Sequence, residues 1–286
     1  MAKKPDKKPK QEQSEDYELA KELIEAGGDS IGAAAGAALG LIGGPAGVVG
    51  GAALGVVVGR VLVKVGSDLK RRFLGPREEM RIGAVIISAG AHIQEKLDEG
   101  MKPRSDGFFD ARDDGSRTPA EELLEGVLLK ARDSFDEKRL DLLGRLYANI
   151  AFSDIEPAHA SHLIHLAGDL TYRQLAALGI AGAQNLTNQP LLRVGDFRSD
   201  DTAKSGLGEG GVALVTEIYE LYQKGLISDA GGSAWISVGD VNPGSMRVQG
   251  SGAVLFNMME LRSLIDGELP AFQEVFPLSV DESSQS

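Results

Sequence analysis

The chain has 286 residues, 42% hydrophobic and 25% charged, with a formal net charge of −12 and no cysteine. Disulfides, zinc–thiolate sites, iron–sulfur clusters and cysteine nucleophiles are therefore excluded. The acidic balance opposes a phosphate backbone, so nucleic acid is not an expected partner.

Residues 1–29 begin with the lysine- and proline-rich stretch MAKKPDKKPKQEQ and continue into an acidic segment. This composition predicts a disordered basic tail and a short acidic helix. No apolar run follows the lysines directly, so the start does not read as a signal peptide.

Segment 30–59, SIGAAAGAALGLIGGPAGVVGGAALGVVVG, holds no charged residue. Gly32, Gly36, Gly40 and Gly44 recur every four residues, and so do Gly47, Gly51, Gly55 and Gly59. Four residues is just over one helical turn, so each set lines one face of a helix. Pro45 breaks the pattern beside Gly43 and Gly44, which can supply a turn. The spacing predicts a glycine-zipper hairpin over 30–72: one helix over 30–43, a turn at Pro45, and a second helix over 46–70. In water, each interior glycine costs roughly 1 kcal/mol relative to alanine. Lipid or a tight interface is where smooth faces allow close helix approach.

The apolar run 46–65 is about as long as the roughly 30 Å hydrocarbon core of a bilayer. Arg60 and Lys64 stand at its end, where they can snorkel. Lys3, Lys4, Lys7, Lys8 and Lys10 precede the hairpin, and Lys70, Arg71 and Arg72 follow it. A hairpin with both flanks cytoplasmic satisfies the positive-inside rule. Two readings stand: a membrane hairpin, or a soluble Gly/Ala hairpin buried in an oligomer.

From Pro76 onward helix signals dominate, and 76–185 reads as a helical bundle. A helix opens with Pro76 at its first position and ends at Gly100. Residues 101–117 form a loop. Three capping boxes follow: Thr118 with Glu121, Ser134 with Glu137, and Thr171 with Gln174. They predict helices to about Arg132, Phe152 and Asn185, with a further helix over 158–166. The polar, glycine-rich stretch 186–210 reads as a linker. Residues 211–266 predict a helix ending at Gly225, strands around AWISVGDV and SMRVQG, and a closing helix GAVLFNMMELRSLI. That order suggests a small winged-helix-like α/β module, followed by a tail over 267–286. Its only basic residues are Lys224, Arg247 and Arg262, too few for a DNA-reading face. The expected fold is mainly α, with the hairpin, the bundle and this module in sequence.

FDEKRLDLLGRLYANIAF, HASHLIHLAGDLTYRQLAALGI, YQKGLI and the final helix together resemble the Abi-alpha family of bacterial proteins linked to abortive infection, over residues 119–265. Tyr147, Ala148, Asn149, Ile150 and Ala151 stand at an ANLLA-like run, and His159 at the family's nearby histidine. Ser251 stands where the family usually opens its last helix with threonine. The resemblance implies a bacterial, phage-defence context and no particular chemistry.

The remaining motifs are weak. GLGEGG, over 206–211, fits GxGxxG before a helix, but no strand abuts it and no βαβ unit surrounds it. His159, His162 and His165 drift around one side of a helix and cannot converge on a metal without partners from elsewhere. Asn149 is expected to be buried and paired with His159 as a structural polar contact. No nucleophile–base constellation accompanies it. The chain therefore reads as a non-enzyme without metal or cofactor. It is expected on the cytoplasmic side of the bacterial inner membrane, contacting lipid, forming homo-oligomers and answering to a protein trigger or inhibitor. The alternative is a soluble cytoplasmic binding or scaffold protein that uses the hairpin as its oligomer interface.

Overall fold

A computed structural model describes residues 53–70, 75–111, 115–195, 207–232 and 237–278. The first arm of the hairpin, its turn at Pro45, and Gly32, Gly36, Gly40, Gly44, Gly47 and Gly51 lie outside the described residues, as does the tail 1–29. The described residues are mainly helical with a small two-stranded sheet, and the chain divides into two compact units, Met1–Asp169 and Leu170–Ser286.

The first unit contains α1 (Ala53–Lys70), α2 (Pro76–Asp98), α3 (Pro119–Arg132), α4 (Arg139–Ala151) and α5 (Pro157–Asp169). Local chemistry sets most boundaries. Pro76 occupies the first position of α2, and the Gly75 N–H donates to the Glu78 carboxylate at 2.7 Å. Thr118 Oγ1 accepts from the Glu121 N–H at 3.1 Å, and the Glu121 carboxylate accepts from the Thr118 N–H at 3.4 Å. This reciprocal cap satisfies two donors that a helix start otherwise leaves open. α2 and α4 make the most extensive contact, α3 packs on α5, and α1 lies on α2 and α3. Between them Leu124, Leu128, Leu142, Leu143, Leu146 and Tyr147 are fully buried. The loop before α3 is anchored as well. Phe108 is buried, and the Arg104 guanidinium lies 4.4 Å from its ring centroid while donating to the Ile155 carbonyl at 2.7 Å.

The second unit contains α6 (Tyr172–Thr187), α7 (Glu209–Gln223), β1 (Ile227–Asp229), β2 (Met246–Val248), α8 (Gly250–Met258) and α9 (Ile265–Val275). α6 is its centre and touches α7, β2, α8 and α9. Gln184 sits inside with no exposed surface. Its amide donates to the carbonyls of Pro243 (3.0 Å) and Met246 (3.1 Å), and its oxygen accepts from the Leu191 N–H at 2.7 Å. Gly225, at φ +68°, ends α7 and turns the chain into β1. The strands run antiparallel, with Ile227 opposite Val248 and Asp229 opposite Met246.

Several expectations need correction. Ser134 does not open α4. Its hydroxyl donates to the Asp136 carbonyl at 3.0 Å, and the helix begins at Arg139 without a side-chain cap. Ser, Asp and Asn near a helix start compete for local backbone groups, and here the turn takes the hydroxyl. The first unit ends at Asp169, so α6 belongs with the C-terminal elements rather than with the bundle. Part of the expected linker is packed: Leu192 is buried, and the Arg193 N–H donates to the Phe276 carbonyl at 3.1 Å. The first strand is Ile227–Asp229, immediately after the GLI step. Residues Val238–Asp240 of AWISVGDV form a 3-10 turn instead. The single closing helix is broken at Glu260, which takes a left-handed conformation (φ +53°), and the chain resumes as α9 inside the stretch expected to be tail.

Candidate functional site

α1 is the described part of the second hairpin arm, and it carries Gly55 and Gly59. Val58, Val61, Leu62, Val65 and Leu69 are buried. Their spacing of three and four places them on one face, which packs against α2 and α3. Each fully buried aliphatic side chain contributes roughly 1.5–3 kcal/mol. The residues that looked like the end of a bilayer span are thus part of a protein core. Among the described residues, no helix is long and apolar enough to cross a membrane.

Polar contacts fix α1 along its length. Lys64 Nζ donates to the Glu121 carboxylate at 2.6 Å. The Glu121 side chain is only 7% exposed while that of Lys64 is 61% exposed, so the lysine brings its charge in from the surface to a buried carboxylate. Glu121 does double duty, since it also closes the Thr118 cap. Close by, the fully buried Tyr147 hydroxyl donates to the Ala120 carbonyl at 3.3 Å. Burial, and then the Glu121 charge, push that phenol far up, so it stays a neutral donor. One turn further along α1, Asp68 lies 4.0 Å from Arg117, which also pairs with Glu125.

Gly59 and Arg60 stand away from the buried face of α1. A Cβ added at Gly59 would meet no atom within 4 Å. Arg60 is exposed and has no hydrogen bond or ion pair among the described residues. α1 is therefore rooted by Val58, Val61, Leu62, Val65 and Leu69, with Arg60 exposed and Lys64 held at Glu121.

A second cluster, which the sequence did not single out, joins α2 to α4. Ser88 and His92 are one turn apart on α2; Asp141 and Arg145 are one turn apart on α4. Ser88 Oγ lies 2.7 Å from Asp141 Oδ1, and Arg145 Nε donates to Asp141 Oδ2 at 2.7 Å. His92 stands between two carboxylates, with Nε2 3.6 Å from Asp141 Oδ1 and Nδ1 3.5 Å from Glu95 Oε2. Burial works to raise the Asp141 carboxyl, but His92, Arg145 and Ser88 outweigh it and hold it down at about 2. Ser, His and Asp are together here, yet not as a nucleophile with its base. Ser88 is 1% exposed and spends its hydroxyl on the aspartate. The cluster is a polar seam between two helices.

The seam predicts a pH dependence. A carboxyl held near 2 when folded and near 3.9 when unfolded stabilises the fold above about pH 4 and loses that contribution as pH falls toward 2. Asp141→Asn is expected to cost about 2 kcal/mol at pH 7, with the gap to the parent protein closing between about pH 4 and 2. Urea midpoints of both proteins across that range check this. A constant gap would show that charge is not what Asp141 contributes.

The other predicted residues do not assemble. Asn149 is half-buried on α4, whereas His159 is exposed on α5 rather than buried with it. His162 and His165 are exposed too, and His165 lies 3.3 Å from Asp169. No group of three metal-ligating side chains stands together among the described residues. Gly208, of the GLGEGG stretch, is the N-cap of α7. No family model, no curated protein and no solved structure matches the chain.

Proposed function

We propose that this chain is a membrane-directed bacterial effector of the abortive-infection kind, acting on the inner membrane from its cytoplasmic side. The observation that carries this reading is where the uncharged run stops. Its last residue, Gly59, and its first following charge, Arg60, fall on a helix whose next turns are fixed in a helical unit by Val61, Leu62, Val65 and Leu69. The run 30–57 is thereby tied to a rigid base. Its glycine period favours close association of several copies, which is how protomers pack around a membrane defect. The resemblance over 119–265 supplies the defence context. Residues 211–266 we read as a winged-helix-like module with a protein-contact or structural role, and a protein trigger or inhibitor as what acts on the chain. Such a ligand shifts an equilibrium only by binding its two states differently.

The test compares the full chain with one lacking residues 30–52, a cut that spares every described residue. Both are expressed in bacteria, and membrane potential is followed with a voltage-sensitive dye, with and without phage. Depolarisation that requires the deleted segment is the expected result. Equal potentials in a strain that the full chain protects would end the membrane reading. A second reading, a soluble helical scaffold that oligomerises through the glycine face, draws on the burial of Val58, Val61, Leu62 and Val65 of the second arm in the protein core. It predicts full release from membranes by carbonate washing, where the first reading predicts retention.

A further inference from the structure

The outward side of α1 points to a partner of definite chemistry. Arg60 is exposed and unengaged among the described residues. Lys64, one turn on, keeps most of its side chain in solvent even while it contacts Glu121. Gly59 beside them leaves the helix surface bare. Arg77 and Lys102 are likewise exposed and unengaged among the described residues, so what sets Arg60 apart is its place: it is the first charge after thirty uncharged residues. We infer that Arg60, with Lys64 behind it, binds the phosphates of anionic lipid head groups, and that the bilayer surface lies level with this turn of α1.

The geometry supports a peripheral contact over an inserted one. The face of α1 that carries Val58, Val61, Leu62, Val65 and Leu69 is buried against α2 and α3, so those side chains are not available to acyl chains. What it offers is charge and reach. Arginine carries a planar, permanently charged group that pairs with phosphate oxygens two at a time. Two acidic groups at α1 have other partners: Glu121 contacts Lys64, and Asp68 lies 4.0 Å from Arg117. Each juxtamembrane cation strengthens attachment to an anionic surface about fivefold, and salt screens the effect within about 10 Å.

This inference rests on the membrane reading, and the experiment separates the two. The full chain, Arg60→Gln, Arg60→Glu and the chain lacking 30–52 are floated with vesicles of phosphatidylethanolamine containing about a third phosphatidylglycerol, and with phosphatidylcholine vesicles. Arg60→Gln is expected to bind the anionic vesicles about fivefold more weakly, and Arg60→Glu more weakly again. Raised salt should shrink both differences, and neither variant should change the circular dichroism or melting of an exposed site. If both variants bind anionic vesicles as the parent does while the deletion abolishes binding, the membrane reading stands and the role of Arg60 is overturned. If the parent chain prefers neither vesicle type, both fall together.

Discussion

Gly144→Ala is expected to destabilise the first unit, and Gly126→Ala to leave it unchanged or slightly stabilised. Both glycines lie inside helices, where alanine is intrinsically better by roughly 1 kcal/mol. Packing separates them. A Cβ at Gly126 would meet only Ile164 Cγ2, at 3.8 Å, an ordinary contact. A Cβ at Gly144 would fall 2.6 Å from Ser88 Cβ and 2.9 Å from the Ala89 backbone nitrogen. Backbone cannot swing aside, so α2 and α4 must part. Overpacking of this kind costs about 1–3 kcal/mol, occasionally more. The separation also pulls Ser88 from Asp141, leaving a buried carboxylate short of a donor, which adds about 1–3 kcal/mol. We expect a net loss of about 2–4 kcal/mol for Gly144→Ala. Paired thermal melts check it, and equal melting temperatures for the two variants would show that the seam has slack.

The same seam illustrates what a linear reading finds. Features set within one turn were legible. Thr118 and Thr171 each cap a helix because hydroxyl and carboxamide or carboxylate lie three residues apart. Ser134 shows the same spacing and failed, because a competing turn nearby took its hydroxyl. Contacts between distant segments were not legible. Nothing in the spacing of Ser88 and His92 says that Asp141, some fifty positions on, completes their site. The left-handed Glu260 is another such case, since no glycine marks the break. In α1 the signal was present but eclipsed. The glycine period drew the eye to one face, while Val58, Val61, Leu62, Val65 and Leu69 repeat at helical spacing and mark another. A glycine stripe and an amphipathic core helix overlap in the same turns. Mean hydropathy over the run cannot tell them apart, whereas the first charges, Arg60 and Lys64, can.

That overlap leads to the largest effect expected of any change in the chain. Removing residues 30–52 should leave the first unit folded, and removing 30–66 should unfold it. The shorter cut ends just before α1, at Ala53. The longer one takes Val58, Val61, Leu62 and Val65, all buried against α2 and α3. Four such side chains are worth roughly 6–12 kcal/mol in burial alone. A whole domain retains only about 5–15 kcal/mol of net stability. The longer cut also removes Lys64 and strands the Glu121 carboxylate, which is 7% exposed. Breaking a buried pair from one side costs about 3–5 kcal/mol more. Together those losses, about 9–17 kcal/mol, match or exceed the reserve that a typical domain holds. Circular dichroism and amide exchange on the two purified deletions decide it. The 30–52 deletion should melt cooperatively with strongly protected amides in α3 and α4. The 30–66 deletion should lose that protection. A cooperative melt from the longer deletion would mean that α1 is an appendage of the bundle rather than one of its walls, and would return the whole second arm to the membrane.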